Sequence, residues 1–215
     1  MTELYNFLRL LKQNNNREWF NDNKDKYLES KKLFEDFVAQ VIFGISKFDS
    51  SIASVQVKES IFRIYRDVRF SHDKSPYKTH FGAFMAKGGK TSSRGGYYVH
   101  FEPDTSLLSG GIWRPEPVHL KAIHRDIYNN PEEFIEIVEN PKLTKFFIHD
   151  NEKTKKVPQQ YPKDSIVSEW LKNKSYTPVC YVSEDFFEGN DAVERTVERL
   201  KLLEPLNHFI NFTIT

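Results

Sequence analysis

The chain has 215 residues, 39% of them hydrophobic and 14% aromatic, and sets 31 Lys plus Arg against 30 Asp plus Glu for a net charge of +1. That balance excludes a wholly basic nucleic-acid binder, and a chain of this size and apolar content buries roughly 70% of the surface it would expose unfolded, which excludes disorder. The single cysteine, Cys180, excludes an internal disulfide or a multi-cysteine metal site and fits a reducing compartment.

At the start, Leu4, Phe7, Leu8 and Leu11 recur at helical spacing and predict a short first helix that the Asn14-Asn15-Asn16 run ends. Glu3 and Arg9 interrupt its apolar positions and no small-residue cleavage site follows, so it does not read as a signal peptide. With Asn16 as a cap, Arg17 to about Lys47 keeps a helical period through Phe20, Tyr27, Phe34, Phe37, Val38, Val41, Ile42 and Ile45, predicting one long amphipathic helix. Its most apolar stretch, Phe37 to Ile45, is far shorter than the ~18 residues a membrane span needs, so the expectation is a cytoplasmic protein without a membrane partner.

The middle changes character. Ile61 to Phe70, Thr79 to Lys87, Gly96 to Glu102 and Leu107 to Trp113 are short runs rich in aromatic and β-branched residues, the last three separated by Gly88-Gly89 with Gly95-Gly96 and by Pro103-Asp104. They predict an antiparallel meander of four strands, with a possible fifth at Thr177 to Val182. Beyond Pro115 and Pro117 the pattern returns to helix through Leu120, Ile123 and Ile127, then through Phe134, Ile135 and Val138 behind Pro131. His119 and His124 there read as solvent or capping residues. Lys153 to Lys163 reads as a loop and Ile166 to Leu171 as a short helix. Asp191 caps a final helix carrying Val193, Val197, Leu200 and Leu203. The fold expected is a single α+β domain over 1–215, helical in 1–48, a central antiparallel sheet in 60–114, and mainly helical in 116–215.

From Lys58 to His80 the near-neutral total breaks down, with six cations against three acids for a local charge of +3. Arg63, Arg66 and Arg69 on one predicted strand require compensation, either from Asp67 and Asp73 in an internal ion-pair network or from an external anion held bidentately by guanidinium groups. The segment Arg63-Ile-Tyr-Arg66-Asp67-Val-Arg69-Phe70, followed by Asp73-Lys74 and Tyr77, resembles the signature of a bacterial family of uncharacterised proteins. Asn14-Asn15, Trp19-Phe20 and Gly110-Gly111-Ile-Trp113 with Pro115 extend the resemblance over most of the chain. That family is a domain of unknown function, so the resemblance implies no reaction. Pro158-Gln159-Gln160-Tyr161 stands where its members often carry Pro-Lys-Gly-Tyr.

Period-two alternation sets the apolar Phe81, Ala83, Met85, Tyr97, Val99 and Phe101 against His80, Gly82, Tyr98, His100 and Glu102. With Phe62, Ile64 and Val68 as the apolar set of the first strand, Arg63, Tyr65, Asp67 and Arg69 join the polar face. For the next strand either Leu107, Ser109, Gly111 and Trp113 or Leu108, Gly110 and Ile112 could join it. The candidate ligand set is therefore Arg63, Arg66, Asp67, Arg69, Asp73, Lys74, Lys78 and His80, with Tyr77, His100 and Glu102 for proton transfer. His80, His100 and Glu102 also have the make-up of a metal trio, yet such residues are ordinary on sheet surfaces, and no metal is assigned.

Nucleotide-loop, dinucleotide, hydrolase-elbow and zincin motifs are missing from the sequence. The glycine-rich Gly88 to Gly96 stretch reads as a flexible hairpin, and Cys180 as a small buried hydrophobe. Three functions are expected to compete: a pocket, enzymatic or not, for a phosphorylated small molecule or nucleotide; a nucleic-acid module stacking bases on Tyr65, Tyr97, Tyr98 and Trp113; and a structural or interaction domain whose Arg/Asp motif is architectural.

Overall fold

The computed structural model describes residues 1–214. Helix α1 (Thr2–Gln13) buries Leu4, Phe7, Leu8 and Leu11, the stripe their spacing predicts. The long helix expected after it is two helices, α2 (Arg17–Asp22) and α3 (Lys24–Ser46). The break falls at Asn23, whose side-chain amide donates to the Trp19 carbonyl at 2.9 Å and so competes with the continuing helix. Asn16 caps α2 by accepting from the Trp19 amide at 2.9 Å.

After the single turn α4 (Val57–Ser60) comes a four-stranded antiparallel sheet in sequence order: β1 (Phe81–Met85), β2 (Gly96–Phe101), β3 (Leu107–Gly111) and β4 (Val179–Tyr181). The α+β class and an antiparallel meander are as expected, but the first of its expected strands is not part of it. Ile61 to Phe70 forms no sheet strand. Ile61 bridges Ala83 and the Phe62 amide donates to the Gly82 carbonyl at 3.0 Å; the chain then leaves β1 and pairs with itself. Tyr65 bridges Tyr77, and the Arg66 amide donates to the Pro76 carbonyl at 2.9 Å, so the charged residues lie in a narrow loop rather than along a sheet. The fourth strand is the segment expected as a fifth.

One sheet face carries Phe81, Ala83, Met85, Tyr97, Val99, Phe101, Leu108 and Cys180, all buried, against α1, α3 and α8 (Ala192–Lys201). Phe101 centres this core, stacked on Phe187 at 4.0 Å and edge-on to Phe34 and Phe37 at 5.2 and 5.1 Å. Asp191 sits at the cap position of α8 but pairs with Arg195 instead of the helix amides.

A second core joins α5 (Pro117–Asn129), α6 (Pro131–Val138) and α9 (Glu204–Thr213), with the turn α7 (Pro141–Thr144) between the halves. It contains Ile123, Ile127, Phe134, Val138, Leu206, Phe209 and Ile210. Helix α9 follows the last element legible in the sequence. Its Asn207 side chain is buried, accepting from the Gly111 amide at 2.9 Å and donating to the Gly96 carbonyl at 3.0 Å, while Asn211, one turn later, grips Gly95 in the same way. No helix among the described residues is long and apolar enough to cross a membrane.

His124 is buried, not a solvent or capping residue, and donates to the Asn173 carbonyl at 3.2 Å. His149 likewise donates to the Val138 carbonyl at 3.2 Å. Burial holds both imidazoles below their ordinary pKa, only partly opposed by these bonds. Both take up a proton more readily unfolded than folded, so the stability they confer is complete above the ordinary histidine value of about 6.5 and is lost as pH falls below it. The urea midpoint should drop between about pH 7.5 and 5.5, and His124→Gln should shrink that drop; an unchanged pH profile in the variant would remove His124 from the account.

Candidate functional site

The other sheet face is open. Gly82 pairs with His100 and that with Leu107, while Phe84 pairs with Tyr98 and that with Ser109. The phase of β3 left undecided by its sequence is therefore the one carrying Leu107, Ser109, Gly111 and Trp113. This face floors a cleft of about 600 Å³, within the range of small-molecule sites. Phe62, Phe84, Tyr98 and Trp113 give it an aromatic lining, and Lys78, His80, Lys90 and Arg94 bring cationic or imidazole groups to it. Among the described residues that line it there is no carboxylate.

Of the ligand set read from the sequence, Lys78 and His80 reach this cleft. The phase assigned to the first strand was inverted. Because Ile61 bridges Ala83, Phe62 falls opposite Gly82 on the open face, its ring 6.4 Å from Tyr98 with the Lys78 ammonium 5.3 Å above it. Ile64 is buried, as expected, because the chain has by then turned away from β1. Lys78 is held below its usual pKa by burial and by the charge of Arg63. Arg63 itself is exposed and makes no hydrogen bond or ion pair among the described residues.

The rest of the charged motif is spent on its own loop. Arg66 pairs with Asp73 and donates to the Ser75 carbonyl at 3.2 Å and the Ser71 hydroxyl at 3.4 Å. Asp73 also accepts from the Ser75 amide and hydroxyl at 2.9 and 2.6 Å; these bonds, with Arg66, hold its pKa at about 2. Arg69 embraces Asp67 through two nitrogens at 2.9 and 2.6 Å, and Lys74 donates to the Val68 carbonyl at 3.0 Å. Tyr77 does not line the cleft. It is buried, stacked on Phe20 at 3.9 Å, and the Asn15 amide accepts from its N–H at 3.1 Å and donates to its carbonyl at 3.0 Å. Asn15, Phe20 and Tyr77, far apart in the sequence, thus form one clamp at the root of the loop. Phe70 at the loop's far end is 94% exposed.

A polar chain runs along the same sheet face, from Tyr98 in the cleft to His100 and Glu102 beside it. The Tyr98 hydroxyl lies 2.8 Å from His100 Nδ1, and His100 Nε2 lies 3.1 Å from one oxygen of Glu102, whose other oxygen accepts from Thr79 at 2.7 Å. Gly82 makes room for this, since a Cβ there would stand 2.7 Å from the Tyr98 hydroxyl. Burial holds His100 below its usual pKa against the pull of Glu102. With His100 neutral, its Nε2–H donates to Glu102 and its Nδ1 accepts from Tyr98. Burial pushes the Glu102 carboxyl up, but the bonds from Thr79 and His100 outweigh it and leave the pKa below normal. His80 packs its ring 4.3 Å from that of His100, and burial together with that neighbour lowers its pKa to about 4.

Sequence reasoning missed Phe62, Lys90 and Arg94 as cleft residues. The signal for the last two was present, as two cations inside the glycine-rich hairpin between β1 and β2, and what hid them was the reading of that hairpin as merely flexible. Lys90 is fixed, donating to the Lys58 and Glu59 carbonyls at 3.2 and 3.3 Å. Tyr97, expected as a stacking platform, is fully buried with its hydroxyl on Asp49.

No curated protein and no solved structure matches the chain. The model of the family described as "Conserved hypothetical protein (DUF2461)" matches residues 3–209. Spanning nearly the whole α+β fold, that match places the chain in this conserved hypothetical family.

Proposed function

We propose that the cleft on the open sheet face binds a compact phosphorylated molecule with a flat or apolar body, such as a nucleotide. The observation that carries this reading is the composition of the cleft wall: Lys78, Lys90 and Arg94 with no carboxylate among them, around the rings of Phe62, Phe84, Tyr98 and Trp113. Cations without acids attract phosphate, while exposed rings offer stacking surface to a base. Unpaired Arg63 adds positive charge beside Lys78. Any proton transfer falls to the Tyr98–His100–Glu102 chain rather than to Tyr77, because a neutral imidazole between a hydroxyl and a carboxylate can take a proton at one nitrogen as it releases one at the other.

The internal pairing of Arg66 with Asp73 and Arg69 with Asp67 favours an architectural role for those four residues. The nucleic-acid reading retains Tyr98, Trp113 and the part-exposed Tyr65, since Tyr97 is in the core.

Calorimetric titration with a nucleoside diphosphate, and with the corresponding nucleoside, tests the proposal. The diphosphate should bind and the nucleoside should not. Lys78→Ala and Arg94→Ala should each weaken binding about tenfold, equivalent to ~1.4 kcal/mol, while Arg69→Ala leaves it unchanged. Binding that is insensitive to Lys78→Ala and lost in Arg69→Ala would return the site to the loop.

A further inference from the structure

We propose that His80, His100 and Glu102 form a binding site for a divalent first-row transition metal, of the zinc type, on the open sheet face beside the cleft, which His80 alone of the three lines. One ligand atom from each lies within 4.8 Å of the others, and His100 Nε2 is already 3.1 Å from a Glu102 oxygen. Ligands bound at about 2.0–2.2 Å around a tetrahedral ion stand a little over 3 Å apart, so rotation of side chains suffices to gather the three. Two imidazoles and one carboxylate suit zinc, cobalt or iron better than magnesium or calcium, which prefer all-oxygen shells.

The surroundings support this beyond the trio itself. Each of the two ligands on β2 and its end is held from behind: coordination through His100 Nε2 takes the ring to its Nδ1–H tautomer, whose N–H donates to the Tyr98 oxygen 2.8 Å away while the proton leaves Nε2, and the Thr79 hydroxyl occupies one Glu102 oxygen, which leaves the other facing His100. Outer contacts of this kind orient metal ligands and set their basicity. His80 makes no hydrogen bond among the described residues although it is half-buried and lines the cleft, so its ring nitrogens are uncommitted. Lys78, two residues before His80, is the cation that acts on both histidines, and it lies outside the trio. Three protein ligands leave the remaining coordination positions for water or for an oxygen of a bound anion. The site does not require the anion proposal, because it is built from residues of this chain alone.

The test uses chelator-stripped full-length protein titrated with Zn²⁺ against a chromophoric competitor, and with Co²⁺ followed by its visible absorption. One equivalent of Zn²⁺ should bind, and Co²⁺ should give the intense bands of a four- or five-coordinate ion. His80→Asn and Glu102→Gln should abolish stoichiometric binding, and Tyr98→Phe should weaken it about tenfold. His80→Asn removes no hydrogen bond, so its fold is expected to survive. In the unmodified protein, Zn²⁺ should shift the ring resonances of His80 and His100 and leave those of His124 and His149 in place, a readout that needs no variant. Lys78→Ala should retain the metal even where it loses the nucleotide, which separates failure of this inference from failure of the anion reading. Absence of stoichiometric Zn²⁺ binding, or its full retention in His80→Asn, would overturn the proposal.

Discussion

Gly111→Ala is expected to cost more than about 4 kcal/mol, a large share of the roughly 5–15 kcal/mol that holds such a domain folded. Gly111 has φ +86°, and a Cβ there would stand 1.9 Å from the Tyr176 carbonyl oxygen. That oxygen cannot give way, because it accepts from the Ile112 amide at 3.0 Å while the Tyr176 amide donates back to Ile112 at 2.9 Å. Gly88 provides the comparison. Its φ is +93°, but the nearest atom to a Cβ there is Ser92 Oγ at 3.6 Å, so Gly88→Ala should cost only the left-handed penalty of about 1–2 kcal/mol. Urea unfolding of both variants separates dihedral strain from collision. Equal losses would mean that the approach of Tyr176 does not demand glycine.

Asn207→Leu should cost about 2–5 kcal/mol. The leucine is close in volume, so little packing is lost, but the Gly111 amide and the Gly96 carbonyl remain buried without their partner, each at about 1–3 kcal/mol. Asn211→Leu removes the same pair of bonds from Gly95, but the Asn211 side chain is only half-buried and its bonds less enclosed than those of Asn207, so it should cost less, about 1–2 kcal/mol. Comparable losses at the two positions would contradict the burial argument. Should the larger loss appear at Asn207, exchange of the Gly96 and Gly111 region should accelerate with it, since α9 is what holds those strand ends together.

Helices α1, α5 and α6 were legible because single apolar stripes and prolines in the first turn specify them locally. The strands β1 to β3 were legible from alternation, which also separated core from open face correctly on β1 and β2. Alternation fails for Ile61 to Phe70 because an extended segment pairing with its own loop shows the same period as one pairing with a sheet. Starting the apolar set at Phe62 rather than Ile61 then placed Arg63 and Arg69 on the open sheet face, whereas the chain leaves the sheet beyond Phe62. The motif residues themselves were found, but a sequence does not say whether Arg66 meets Asp73 or a ligand. His80, His100 and Glu102 were grouped correctly because adjacent antiparallel strands bring alternate residues together, whereas Lys90 and Arg94 reach the cleft through the tertiary course of a hairpin. Helix α9 was missed, and with it the two asparagines that tie the glycine pairs together.

The isolated bridges at the margins of the sheet have a consequence for assembly. Ile61 and Phe62 occupy β1 at Ala83 and Gly82, and Ile148 exchanges both backbone hydrogen bonds with Val179 on the three-residue β4 at 2.8 and 2.9 Å. One pairing position at each edge of the ladder is thus already taken by the chain itself, the Gly82 carbonyl on β1 and both groups of Val179 on β4. A foreign strand adding to either edge would first have to displace these segments of the chain itself.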